Sequence, residues 1–164
     1  MIIRPIELTD AEEFLELSKR IEESGFMLYE PGEKQTTVEQ QRKILEKFMA
    51  GEKSIFFVAE SEGALAGFIA ALGGTVRRKS HSAYLVLGVD EKFRGRSVAS
   101  QLFNQVFEWA NKKNITRLEL TVIKNNDRAF NLYRKMGFVI EGEKVHSLKI
   151  NGEYVNEYYM YKLL

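Results

Sequence analysis

The chain has 164 residues, 45% of them hydrophobic and 12% aromatic, enough material for one real core and little for a second, so one domain over residues 1–164 is expected. Its 24 basic and 23 acidic residues leave a formal charge of +1, which gives no global support for binding nucleic acid or an anionic membrane. With no cysteine, disulfides, thiolate catalysis and zinc-thiolate sites are excluded, and the two histidines, His81 and His146, lack ligand spacing, so no metal is expected.

The first residues, MIIRPIELTDAEEF, turn acidic too early for a secretory signal, and no apolar run approaches the roughly 20 residues that span a bilayer; a soluble cytoplasmic protein is expected. IIRPIEL reads as a strand at a sheet edge, because Pro5 cannot donate to a ladder. Thr9 or Asp10 is placed to cap a helix whose inward face is Ala11, Phe14, Leu15, Ser18 and Ile21. A loop around Gly25 and EPGEKQT follows, then a second amphipathic helix marked by Val38, Gln41, Ile44, Leu45, Phe48 and Met49. SIFFVAE and ALAGFIAALGG, joined by SEG, form a hairpin covered on both faces, and HSAYLVLGVD is the next strand. Val98, Leu102, Val106 and Trp109 make a helical stripe. TRLELTVI is a strand, NNDRAFNLYRKM a helix with Ala129, Leu132, Tyr133 and Met136 inward, and two final strands flank the Asn151-Gly152 turn. The order is β-α-α-β-β-β-α-β-α-β-β, a mixed α/β domain.

VDEKFRGRSVASQLF places a glycine, small residues and two arginines where the third helix begins. Free N–H groups and the positive dipole end make a helix start an anion site, and phosphate is its commonest guest. Gly95 lets an anion approach the backbone, Ser97, Ala99 and Ser100 leave room, and Arg94 and Arg96 add charge. A solvated glycine turn with a serine cap explains the same residues. No G-x-x-x-x-G-K-[ST] is present, and no G-x-G-x-x-G follows a strand, so nucleotide cradles of those kinds lack their fingerprints.

This stretch, followed by LELTVIKNNDRAFNLYRKMGFVIEG, resembles the acetyl-CoA-binding core of the Gcn5-related N-acetyltransferases (GNAT) over residues 84 to 142, and the element order fits the whole chain. The resemblance implies acetyl-CoA as cofactor, with its pyrophosphate on the N–H groups of Gly95, Arg96, Ser97, Val98, Ala99 and Ser100 beside Arg94. Leu87, Gly88 and Val89 would pair with the pantetheine arm as an added strand does. Ser97 stands where the family usually has glycine. The resemblance further implies that Asn126 contacts the cofactor arm and that Tyr133 protonates the departing thiolate. Asn126 is also a natural N-cap, and Tyr133 reads equally as a core aromatic with a satisfied hydroxyl.

Acetyl transfer needs a neutral amine, so some group must take the ammonium proton; Glu119 and His81 are candidates, and a salt-bridge role explains Glu119 equally. Strand N–H groups near Val89 would meet the oxyanion. The family's first two helices border its acceptor site, and residues 7 to 39 are rich in carboxylates, so a small cationic primary amine is the expected substrate. Tyr29, Glu30 and Glu33, in the loop, and Tyr84 are the acceptor-site candidates. The tyrosine-rich final hairpin would line the acceptor pocket or form a homodimer contact, as final strands in the family often do. Rival readings are a non-catalytic acyl-CoA sensor, a protein or peptide N-acetyltransferase, and a phosphate-backbone binder using Arg77, Arg78, Lys79, Lys112 and Lys113, which the near-neutral charge disfavours.

Overall fold

The computed structural model describes residues 1–164. Seven strands form one sheet in the order β1-β2-β3-β4-β5-β7-β6. They are β1 (Ile2–Pro5), β2 (Ile55–Ser61), β3 (Ala64–Gly73), β4 (Ser82–Val89), β5 (Arg117–Ile123), β6 (Val139–Ile150) and β7 (Glu153–Leu163). Four α-helices accompany them: α1 (Ala11–Glu22), α2 (Val38–Met49), α3 (Val98–Lys112) and α4 (Asp127–Lys135). The expected order of elements is the observed one, and the expected mixed α/β fold is correct. No helix is long and apolar enough to cross a membrane.

Local chemistry sets most element ends. Thr37 accepts the Gln40 N–H at 3.2 Å while the Gln40 side chain accepts from the Thr37 N–H, a reciprocal cap that starts α2. Glu62 and Gly63, both at positive φ, turn β2 into β3, and Asn151 and Gly152 do the same between β6 and β7. β1 lies at an edge, as Pro5 requires. The expected side-chain cap of α1 is absent. Asp10 sits at the cap position, but its carboxylate instead holds the Arg4 guanidinium at 2.7 and 2.9 Å and the Glu7 N–H at 2.8 Å.

Two apolar layers cover the sheet. Nineteen buried residues, among them Leu102, Phe103, Val106 and Phe138, join the sheet to α3 and α4, whereas nine, among them Phe14, Leu17 and Leu45, join it to α1 and α2. Each large aliphatic or phenylalanine side chain among them contributes about 1.5–3 kcal/mol when fully buried. The thinner α1/α2 layer is held by edge-on ring contacts of Phe14 with Phe56 and Phe68, at 5.1 and 5.2 Å between centroids. Not every expected inward residue packs there: Ile44 and Met49 of α2 are exposed, while Leu17, absent from the expected face of α1, is fully buried.

One irregularity positions the site. β4 and β5 are the only parallel neighbours, and they pair only through Ser82–Arg117, Ala83–Leu118 and Tyr84–Glu119. Beyond Tyr84 the strands part, while β4 remains paired with β3 up to Val89. The sheet therefore opens into a wedge between its two halves.

Candidate active site

A cleft of about 1120 Å³ occupies this wedge, larger than a drug-sized ligand needs and roomy enough for two substrates. From Leu85 to Val89, β4 has no partner on its β5 side, so the backbone groups pointing there are free to bind an extended chain. Leu87, Gly88 and Val89 all line the cleft.

The turn after β4 leads into α3. Asp90 accepts the Lys92 N–H at 3.0 Å, Gly95 lies at φ 77° and Ser97 at φ 60°. The first intrahelical bond runs from the Gln101 N–H to the Ser97 carbonyl, so the N–H groups of Gly95, Arg96, Ser97, Val98, Ala99 and Ser100 have no acceptor in the protein. Two left-handed residues curl these amides into a concave nest at the positive end of the α3 dipole, a donor set that fits a pyrophosphate. The Ser97 hydroxyl caps nothing, so the simple serine-cap explanation of this stretch does not hold. Arg94 lines the cleft, whereas Arg96 turns away to Glu62 at 2.9 Å.

Across the wedge, Asn126 caps α4 by accepting the Ala129 N–H at 3.3 Å, which leaves its amide N–H groups free for the cleft. Tyr133, two turns later, is 8% exposed and packs edge-on against Phe103 at 5.9 Å. Its hydroxyl has no partner, yet no fully buried polar side-chain atom lacks one, so the phenol opens onto the cleft. Burial, with a smaller contribution from Tyr84, pushes its pKa up to about 12, and the group keeps its proton at neutral pH.

The half of the cleft expected to take an acceptor lies under α1, α2 and residues 26–29. Tyr84 and Tyr29 line it, Tyr84 with its hydroxyl 2.9 Å from that of Thr121. Glu30 and Glu33 do not; the Glu33 carboxylate accepts the Glu30 N–H at 2.9 Å and closes their own turn. Glu119 also lies outside the cleft, bound to Arg117 at 3.2 Å. None of the β7 tyrosines reaches the cleft: Tyr158 packs on Phe130 and Tyr154 stacks on His146. Three further polar groups of the cleft were not among the expected acceptor residues. Glu22 and Gln41 line it from α1 and α2, and Glu157 from β7. The spacing signal for Glu22 was present, since it falls one turn beyond Ser18 on the inward stripe.

A sequence profile of the Acetyltransferase (GNAT) family matches residues 14–138. The L-amino acid N-acetyltransferase AaaT of Escherichia coli (strain K12) is 44% identical over 85 residues, 51% of this chain and about half, 52%, of that relative's length. The spermidine N(1)-acetyltransferase of the same organism is 25% identical over 94% of this chain and 81% of its own. The crystal structure of a GNAT-family acetyltransferase from Streptococcus pneumoniae superposes with a TM-score of 0.94 at 30% identity, covering 99% of both chains.

Proposed function

The chain belongs to the GNAT family and is an acetyl-CoA-dependent N-acetyltransferase, and we propose that residues 1–164 act as one catalytic domain that acetylates a small cationic primary amine by direct attack, with Tyr133 as the general acid. The unpartnered, protonated phenol at the parting of β4 and β5 is the observation on which this reading rests. The two curated relatives, named for amino acid and spermidine acetylation, support a small-molecule acceptor.

Acetyl-CoA supplies an activated acyl group and a thiolate that leaves more easily once protonated. The N–H groups of Gly95 to Ser100 would hold its pyrophosphate, Leu87 to Val89 its arm, and the Asn126 amide a carbonyl along that arm. Tyr133 delivers its proton to the departing sulfur, an act for which a phenol held neutral by burial is suited. Glu119, tied to Arg117 outside the cleft, is not used as the base here; the attacking amine gives its proton to water in the open cleft, and the Tyr133 phenolate takes one back from that water. A non-catalytic acyl-CoA sensor would have no use for this phenol.

Incubation with acetyl-CoA and a panel of small amines, followed through free thiol and the mass of the acetylated product, tests the reading. Product with at least one small amine is expected; acetylation only of peptide N-termini, or tight cofactor binding without product, contradicts it.

A further inference from the structure

Resting on the acetyl-transfer reading, we infer that Glu22, with Gln41 beside it, receives a second, non-reacting ammonium group of the acceptor, so that the enzyme selects diamines and polyamines over monoamines. Glu22 is 8% exposed and Gln41 3%, both line the cleft, and neither side chain makes a hydrogen bond or ion pair. Since every fully buried polar side-chain atom in the protein has a partner, these two groups open onto the cleft.

Glu22 forms no ion pair with any cation of the protein, and the cations nearest it in sequence or in the cleft loop are engaged elsewhere. On its own helix Lys19 is bound to Glu16 at 2.8 Å and Arg20 to Asp90 at 2.6 Å. Of the cations on facing elements, Lys34 sits 5.4 Å over the Tyr29 ring and Lys144 is 3.5 Å from Glu157. Glu22 is also the last residue of α1, where the negative end of the helix dipole adds to its own charge. An unpaired carboxylate in such a place opposes folding. A cation arriving with the substrate removes that penalty and gains from both sources of negative potential.

The cation is a second one because of where the two groups lie. Tyr133 belongs to the α3/α4 layer and Glu22 to α1, on the opposite layer, with the wedge leading from one to the other. The reacting nitrogen must be neutral and next to the thioester beside Tyr133, so it cannot also occupy Glu22. Phe14, Ile44, Leu72 and Val86 also line the cleft and offer an apolar wall that suits an alkyl chain.

The test compares 1,4-diaminobutane with butylamine, equal in chain length, on the wild-type protein and Glu22→Gln, by steady-state thiol release and by calorimetry of each amine on the coenzyme A complex. Wild type should prefer the diamine by about tenfold or more in kcat/KM. Glu22→Gln should remove that preference through the diamine's KM and weaken diamine binding at least about tenfold, while the thermal midpoint holds or rises because an unpaired charge is gone. Unchanged diamine binding, an equal loss for both amines, or a drop confined to kcat would overturn the proposal. Diamine binding that depends on Glu22 without acetylation of any amine would instead sink the transfer reading and leave this site standing.

Discussion

Arg20 Nε lies 2.6 Å from the Asp90 carboxylate, joining the helix over the acceptor half to the residue that begins the turn toward Gly95. Asp90 is nearly inaccessible while Arg20 is about a third exposed, at 4% and 36% of their side chains. The pair ties α1 to the turn that follows β4.

Loss of this link should cost stability and cofactor affinity together. Arg20→Met leaves a buried carboxylate with only the Lys92 N–H, which, discounted for the open side of Arg20, costs about 1–2 kcal/mol and about 2–8 °C in the thermal midpoint. Burial pushes the Asp90 carboxyl up, but Arg20 and the Lys92 N–H outweigh it and hold the group below the usual carboxylate range. Its stabilisation is therefore present above the unfolded value of about 4 and lost as pH falls through the lower folded one. The midpoint gap between wild type and variant should narrow from pH 7 to pH 3, and a constant gap would contradict the pairing.

Ser97 explains why the related pattern uses glycine there: its φ of 60° and ψ of 19° lie in the left-handed region, which costs an L-residue about 1–2 kcal/mol. Ser97→Gly removes that strain but frees the unfolded chain by a similar amount, so its midpoint should stay within about 3 °C of wild type, with coenzyme A affinity retained. Ser97→Val, branched at Cβ, should lose at least about 1 kcal/mol and bind coenzyme A several-fold more weakly. Thermal melts and calorimetry of the two variants provide the comparison; equal behaviour would count against the strained turn.

Gly88 is required by close packing rather than by its dihedrals. A Cβ there would stand 2.6 Å from Phe68 Cε1 and 3.0 Å from Ile21 Cδ1, both in the core under α1. Gly88→Ala should destabilise by about 1–3 kcal/mol and raise the KM for acetyl-CoA, because the Phe68 ring and the Ile21 side chain must give way where the wedge opens. Chemical denaturation and steady-state kinetics measure the two effects, and an undisturbed variant would refute the contact.

Tyr133, with its pKa pushed up to about 12, keeps its proton at every ordinary working pH. The kcat profile should accordingly show no alkaline limb between about pH 7 and 10. A descending limb near the unperturbed tyrosine value of about 10 would show a phenol that is not shielded as described.

Much of this architecture is legible in local sequence, because turns and periodicity are local properties. Asn151-Gly152 and the amphipathic stripe of α3 fix their elements without knowledge of neighbours. The acceptor half is harder to read. Glu22 falls on the inward stripe of α1, but its carboxylate reads like that of any surface helix until the cleft it lines is seen. Glu30 and Glu33 show the converse, since a loop carboxylate that looks free of helical duty closes a turn through the Glu30 N–H. Ile44 fits the apolar stripe of α2, yet it faces the open cleft and so stays exposed. The Ser97 substitution is visible in the sequence, but its left-handed backbone is not.

The most direct test of acid catalysis by Tyr133 is acetyl-CoA turnover by Tyr133→Phe with the best amine of the panel, measured alongside calorimetry of coenzyme A. The account predicts that kcat falls about a hundredfold or more while coenzyme A binds within about threefold of wild type. Turnover at the wild-type rate by a folded Tyr133→Phe protein would contradict it.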